Sequence, residues 1–197
     1  MYAHQIEIAA TTMIDVAAKV TDDQLDRPTP CGDMRLAGLL GHAIGLSLAF
    51  AAAGRKEFGP LTATTPSPGN ETLPDPWWPA LTGNLRELVR SWEDRAAWEG
   101  MTQAGGFDAP ASVLGTVALS ELVLHGWDIA RSIGVAYPIP DDVAAIVFDF
   151  HYPPQPQEER DGMFGPVVEV PDDAPILDRT VGIAGRDPFW PHGTLEE

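Results

Sequence analysis

The sequence predicts an all-α protein, a four-helix bundle followed by a short C-terminal helical or extended appendage. Two observations carry this prediction. Four long segments repeat apolar residues at the spacing of an amphipathic helix, and prolines concentrate beyond them and interrupt that spacing. The four segments lie at about residues 3–19, 34–53, 77–97 and 111–133.

The length of the chain predicts one domain rather than several. A chain of 197 residues is long enough to bury a sizeable core and is of ordinary domain size. We therefore expect a single domain over residues 1–197, with the bundle core at about 3–151 and the appendage at about 152–197.

Local signals place the ends of the first two helices. Thr21 and Gln24 have the spacing of a capping box, which predicts a short helical turn after the first helix. Asp33 is positioned to cap the second helix, and Gly54 to stop it. Residues 55–76 are rich in proline, threonine and glycine and predict a long loop.

The second half of the chain is divided in the same way. Residues 99–110 read as a loop, and Pro110 suits the first turn of the fourth bundle helix. A fifth, shorter helix is predicted at 139–151, and a last one at 173–185. The segment "GPVVEV", residues 165–170, predicts extended chain between them.

Charge and composition exclude several classes of partner. The net charge of −17 repels phosphate backbones and anionic membrane surfaces, so we expect neither nucleic-acid nor membrane binding. Cys31 is the single cysteine, so no internal disulfide forms. The first residues lack the positive charge of a signal peptide, and we expect a cytoplasmic protein. The apolar face of the fifth helix offers an interface for a homodimer.

The fourth helix carries an unusual row of polar residues in the apolar stretch "ALSELVLHGWDIARSIG". Glu121, His125 and Asp128 stand at i, i+4 and i+7, on one face of the helix. Side chains four residues apart lean the same way and can hold one metal ion. His42, in the apolar second helix, is the best third ligand, because helical bundles build metal sites from facing helices.

Simpler interpretations of these residues remain open. Glu121 and His125 also suit a buried ion pair without metal, and His42 a hydrogen-bonded core histidine. Asp128 could orient one of the ligands, or it could pair with Arg131. Asp128 and His151 are also the two candidates for a fourth metal ligand.

Three motifs together resemble one family. "RPTPCGDMRLAGLLGHAIG", "ELVLHGWDIARSIG" and "GRDPFW" are similar to actinobacterial proteins with a mycothiol-dependent maleylpyruvate isomerase-type metal-binding domain, of the DinB/YfiT-like superfamily. The resemblance runs from about Gln5 to Trp190. It departs from the family pattern at Met34, where tryptophan is common, and at Gly38, where aspartate is usual. We also expect the region after "YPPQPQ" to differ from the separate large domain of the true isomerase.

The resemblance implies a fold and a chemistry. The fold is an up-down-down-up DinB/YfiT-like four-helix bundle. The ligands are His42, Glu121 and His125, holding a divalent metal that is most often zinc, with nickel, iron and manganese as alternatives. The function is that of a metal-dependent transferase or isomerase that uses a low-molecular-weight thiol such as mycothiol on a small-molecule substrate.

Two other functions suit the same ligands. A metal-bound hydroxide would make the protein a hydrolase, and a closed coordination sphere would make it a non-catalytic metal or small-ligand binding module. The catalytic group itself is not assigned beyond a metal-bound thiol or water. The residues expected around the pocket are Cys31, Trp78, Trp127 and Arg131.

Overall fold

The computed structural model describes residues 1–64 and 72–190 and contains the four predicted bundle helices. The elements of the first part are α1 (Ala3–Ala17), α2 (Leu36–Arg55), the one-turn α3 (Pro60–Ala63), α4 (Trp77–Glu93) and α5 (Ala111–Ser132). The remaining elements are a β1 (Met101–Ala104) and β2 (Phe107–Pro110) hairpin, α6 (Asp141–His151), α7 (Gln157–Arg160) and α8 (Ile176–Ile183). Short 3₁₀ turns follow α1 at Asp22–Gln24 and α4 at Arg95–Trp98, the latter within the predicted third helix. Residues 65–71 of the predicted 55–76 loop and 191–197 of the appendage lie outside the described residues.

Contacts at the middle and at the C-terminal end of α2 fix the direction of its neighbour α4. Asn84 Nδ2 donates to the carbonyl of Ile44 at 3.3 Å, and Arg55 Nη1 donates to Ser91 Oγ at 3.0 Å. Later residues of α2 thus contact later residues of α4, so the two helices run parallel.

The fourth bundle helix, α5, runs against α2. The rings of His42 and His125 lie 5.1 Å apart, whereas Phe50, further along α2, shares a cavity with Ala118, which is earlier in α5. α1 contacts α4 and α5, and its residue Met13 lines the same cavity. The α2 and α4 pair therefore runs opposite to α5, as the resemblance implies.

The start of α2 corrects one prediction. Asp33 does not cap the helix, because the chain before it folds back and its main chain supplies the acceptors. The Leu36 amide donates to the Arg27 carbonyl and the Ala37 amide to the Leu25 carbonyl, both at 2.9 Å. A side-chain cap has no free amide left to bind at these two positions.

The end of α2 corrects a second prediction. Gly54 lies inside the helix, which continues to Arg55 and ends with Lys56 in the left-handed region, at φ 57°. A Cβ at Gly54 would lie 2.8 Å from the carbonyl oxygen of Ser91. The glycine therefore serves the close approach of α2 and α4 rather than the end of the helix.

The predicted loop at 99–110 is a β-hairpin instead. Gly105 and Gly106 both have positive φ, 61° and 85°, which suits the tight turn between two antiparallel strands. Thr102 Oγ1 joins the hairpin to α2 by donating to the Ala53 carbonyl at 2.6 Å. The Gly-Gly pair was the signal for this turn, but four-residue strands are too short to show a clear alternation.

The appendage follows the predicted order of elements. α6 packs against α5 and α8, and Thr180 Oγ1 of α8 donates to the Ala144 carbonyl at 3.1 Å. The segment at 165–170 is neither helix nor strand, and its Val168 amide donates to the Gly182 carbonyl at 3.0 Å. These contacts bring the chain beyond residue 160 back to the end of the bundle where α5 carries its polar residues.

Two bundle helices meet the length and hydropathy criteria for a membrane span. The most apolar windows of α2 and α5 have mean hydropathies of 1.8 and 1.2, but 67% and 83% of their residues are buried inside the fold. Burial of this extent is what the core helices of a helical bundle show.

Gly126 provides a test of the packing between α5 and the chain that follows it. A Cβ at Gly126 would lie 2.5 Å from the hydroxyl oxygen of Tyr137, a buried side chain that donates to the Leu122 carbonyl. Gly126→Ala is therefore expected to lower the free energy of unfolding by about 1–3 kcal/mol, measured by urea denaturation.

The control is Gly83→Ala, at an exposed mid-helix glycine with open space around it. There alanine should stabilise the protein by up to about 1 kcal/mol, because it favours the helix. Equal effects at the two positions would contradict the packing shown at Gly126.

Candidate metal centre

Two helices bring three ligand-type side chains together. α2 supplies His42, and α5 supplies Glu121 and His125, one helical turn apart. One ligand atom from each of the three lies within 4.8 Å of the other two. His125 Nε2 is 2.9 Å from Glu121 Oε2, and the two imidazole rings meet edge to face. The sequence prediction of these three positions thus corresponds to a spatial cluster.

The three atoms fit a divalent transition metal. Zinc binds histidine nitrogen and carboxylate oxygen at about 2.0–2.2 Å, so tetrahedral ligand atoms stand a little over 3 Å apart. The ligand atoms of the cluster lie within 4.8 Å of one another, so side-chain movements of an ångström or two would bring them to this separation. Two imidazoles and one carboxylate are a donor set that zinc, iron and nickel accept.

Asp128 contacts the far side of the His125 ring. Its Oδ2 lies 3.1 Å from His125 Nδ1, and the residue is 0% exposed. A proton on Nδ1 donated to this carboxylate leaves the Nε2 lone pair directed towards Glu121 and His42. Asp128 therefore occupies the position of a residue that orients a ligand.

Arg186 is a residue of this site that the sequence analysis missed. It is 5% exposed, and its Nη2 and Nε lie 3.1 and 3.4 Å from the two carboxylate oxygens of Asp128. Of the interpretations left open for Asp128, the pairing with Arg131 is not the one that the structure has. Arg131 lies over the Trp127 ring and donates to the Trp190 carbonyl. The "GRDPFW" motif contained the true partner, 58 residues along the chain.

Cys31 also lies at this site. Its Sγ is 3.5 Å from Arg186 Nη2, and it forms a second cluster of ligand-type atoms with His125 and Asp128. The Arg186 guanidinium donates to both Cys31 and Asp128, so this second cluster already holds a positive charge. A cation is accordingly favoured on the His42 side of the His125 ring.

The network shifts the pKa values of its members. Burial alone would lower the pKa of His125, but its hydrogen bonds with Asp128, Cys31 and Glu121 raise it well above the usual value. Burial would raise the pKa of Glu121 and of Asp128, but His125 lowers the first and Arg186 the second. Both carboxylates are therefore held ionised around a positive charge, the role that a bound cation would fill.

The two predicted pocket tryptophans have different environments. Trp127 is buried in the core beneath Arg131. Trp78 is partly exposed in the first turn of α4, edge-on to Trp77. A cavity beside the candidate ligands is lined by Glu121, His125 and a mostly apolar wall consisting of Met13, Ala43, Leu46, Ser47, Phe50, Leu88, Ala118 and Leu122. Such a wall keeps bulk water from one side of the cluster.

His151 lies beside the cluster without joining its ligand atoms, among the residues that the structure describes. Its Nε2 is 2.8 Å from Ser120 Oγ, and its ring packs against Phe164. Burial lowers the pKa of His151 to about 4, and the positive charges of Arg160 and Arg186 act in the same direction, against Glu121. His151 is therefore neutral near pH 7.

The neutral state of His151 predicts an acid-sensitive contribution to stability. The unfolded chain binds a proton at this residue near pH 6.5, and the folded chain near pH 4, so stability falls as the pH falls through this window. His151→Gln should flatten the pH dependence of the urea midpoint between pH 6.5 and 4.5. An unchanged slope would contradict the buried, neutral state of the imidazole.

Comparisons with known proteins agree with this architecture. A family model described as the mycothiol maleylpyruvate isomerase N-terminal domain matches residues 6–130, more than half of the chain. The crystal structure of a histidine-to-alanine mutant of the mycothiol-dependent maleylpyruvate isomerase superposes with a TM-score of 0.55 at 15% identity. That alignment covers 74% of this chain and 66% of the isomerase chain, just under two thirds of it. A search of curated proteins finds no match.

Proposed function

The chain belongs to the family of the mycothiol maleylpyruvate isomerase N-terminal domain, and from this premise we propose that it is a metal-dependent enzyme that uses a low-molecular-weight thiol such as mycothiol. The reaction class is thiol transfer or isomerisation of a small-molecule substrate. The motifs of the sequence predicted this family, and the family model confirms that prediction. The metal, the thiol and the reaction are the proposal.

The observation that carries the proposal is the cluster of His42, Glu121 and His125. Three protein ligands are the number that catalytic zinc sites use, because the fourth position is then open to water or substrate. The alternative fourth protein ligands are both engaged elsewhere: Asp128 pairs with Arg186, and His151 with Ser120. The cluster therefore supports an open position rather than a closed structural site.

The chemistry of the site follows from what surrounds the three ligands. A divalent cation bound there would act as a Lewis acid that favours the thiolate over the thiol near neutral pH. Asp128 holds the His125 ring in place through Nδ1, and Arg186 holds Asp128. The apolar cavity wall limits water at the site, which favours a thiol over hydroxide as the nucleophile.

Cobalt substitution tests the proposed thiol ligand directly. Co²⁺ replaces zinc in such sites, and a thiolate that joins its coordination sphere produces a new near-ultraviolet absorption band. Titration of the cobalt protein with mycothiol should produce this band and saturate at one equivalent. S-methylated mycothiol, which cannot become a thiolate, is the matched control and should produce none.

The same titration separates thiol chemistry from hydrolysis. A thiol also displaces the water at the open metal of a hydrolase, but a hydrolase has no groups that prefer mycothiol to a simple thiol such as 2-mercaptoethanol. A hydrolase should therefore show the band with both thiols at similar concentrations, and a binding module with a closed coordination sphere should show none. Either result would overturn the thiol-dependent proposal while leaving the metal site in place.

A further inference from the structure

Arg160, the last residue of α7, is a buried arginine with an unpaired donor. It is 5% exposed, and its Nη2 donates to the carbonyls of Ile183 at 2.7 Å and Gly165 at 3.2 Å. Its Nε is buried and has no hydrogen-bond partner within residues 1–64 and 72–190. A buried donor without an acceptor is costly, so such a group usually meets a ligand or water that satisfies it.

The guanidinium of Arg160 also lacks a balancing charge among the residues that the structure describes. By contrast, Arg186 pairs with Asp128, and Arg55 pairs with Glu57. The pKa of Arg160 is lowered, first by burial and then by the nearby charge of Arg186, with no carboxylate opposing either effect. A buried, uncompensated cation favours the approach of an anion.

Ring contacts connect Arg160 with the metal centre. The guanidinium lies over the Phe164 ring, 5.6 Å from its centre, and the imidazole of His151 packs 5.1 Å from the same ring. His151 in turn contacts Ser120, the neighbour of the metal-ligand position Glu121. Arg160, Phe164 and His151 thus form a continuous series of contacts that reaches α5 next to Glu121.

The charges at this end of the bundle leave a positive excess once a cation is bound. Glu121 and Asp128 supply two negative charges, and Arg160 and Arg186 two positive ones. A divalent ion adds two positive charges that one thiolate only half balances. The surplus occurs in a chain whose net charge is −17, so it is local to the site.

On the basis of the proposed function, we propose that Arg160, with Phe164 and His151 beside it, forms a subsite for a carboxylate of the small-molecule substrate at the metal centre. The Nε–H of Arg160 donates to a carboxylate oxygen, a charge-assisted hydrogen bond that supplies both the missing acceptor and the missing charge. Arg160 lies outside the family match at residues 6–130, so the match assigns this residue no role.

The test measures thiol binding to the cobalt-substituted protein by its thiolate absorption. The probes are mercaptocarboxylates of increasing length, from mercaptoacetate to 6-mercaptohexanoate, each paired with the mercaptoalcohol of equal length. At least one carboxylate should bind about tenfold more tightly than its alcohol. Arg160→Gln should abolish this preference and leave the affinity for the alcohol unchanged.

Two further variants make the test specific. Arg179→Gln removes a guanidinium of the same appendage, one that lies 4.6 Å from the centre of the Phe148 ring, and should keep the preference. Arg160→Lys keeps the positive charge and should retain part of the preference for the carboxylate over the alcohol. This variant provides the test if Arg160→Gln fails to fold.

The outcomes separate this inference from the proposed function. No thiolate band with any probe would overturn the thiol-dependent function. Equal binding of acids and alcohols in the wild type, or a preference that survives in Arg160→Gln, would overturn the Arg160 subsite alone. A preference that survives in Arg160→Gln would mean that the carboxylate chelates the metal instead.

Discussion

Replacement of His42 or Glu121 by alanine is expected to remove the bound metal. Wild-type protein purified without chelators should contain close to one equivalent of a divalent ion, and each variant should bind it at least about 100-fold more weakly. The reason is that loss of a direct ligand costs more than loss of an orienting residue, which already costs 10- to 100-fold. The measurements are inductively coupled plasma mass spectrometry and competition with a chromogenic chelator.

The matched control for this experiment is His4→Ala. His4 is an exposed histidine of α1, paired with Glu7, and its loss should leave the metal content unchanged. Metal addition should also raise the melting temperature of the wild type and of His4→Ala but not of the ligand variants, because binding to the folded state stabilises it by mass action. Equal metal content in His42→Ala and in the wild type would contradict the assigned ligands.

The largest expected effect on stability comes from the Asp128–Arg186 pair. Arg186→Met leaves the Asp128 carboxylate buried at 0% exposure without its cation, which should cost about 3–5 kcal/mol of unfolding free energy. Asp128→Asn should also weaken metal affinity by about 10- to 100-fold, because His125 loses the group that orients it. Urea denaturation and metal competition measure the two effects.

A double variant and a surface control define the interaction further. Asp128→Asn combined with Arg186→Met should be more stable than Arg186→Met alone, since the unpaired charge is then gone. Arg90→Met removes an exposed arginine that pairs with Glu87 and should change stability by no more than about 0.5 kcal/mol. Additive effects of the two buried substitutions would contradict the direct pairing.

The helical part of the fold was predictable because its signals are local. The apolar spacing of the four long segments gave the bundle helices to within a few residues, apart from the 3₁₀ turn after Glu93. The candidate metal ligands could be predicted from the sequence for a related reason. Glu121 and His125 share a helix face at i and i+4, and His42 is a polar residue in an apolar helix that needs a partner.

The residues that the prediction missed depend on contacts between distant parts of the chain. Arg186 meets Asp128 from 58 residues away, and no periodic pattern connects the two positions. Asp33 was predicted to cap α2 because aspartate is a common N-cap residue. The carbonyls of Leu25 and Arg27 accept the hydrogen bonds of the first amides of α2 instead. Nothing in the sequence distinguishes Arg160 from a surface arginine, because its burial depends on Gly165 and Ile183, which the fold of the appendage brings to it.

The proposed ligand set can be tested by a crystal structure of the zinc-loaded protein, with data collected at the zinc absorption edge. We expect one anomalous peak about 2.0–2.2 Å from His42, Glu121 and His125, with the fourth position open to a solvent molecule or thiol. A peak among Cys31, His125 and Asp128, or no peak at this end of the bundle, would contradict this ligand set.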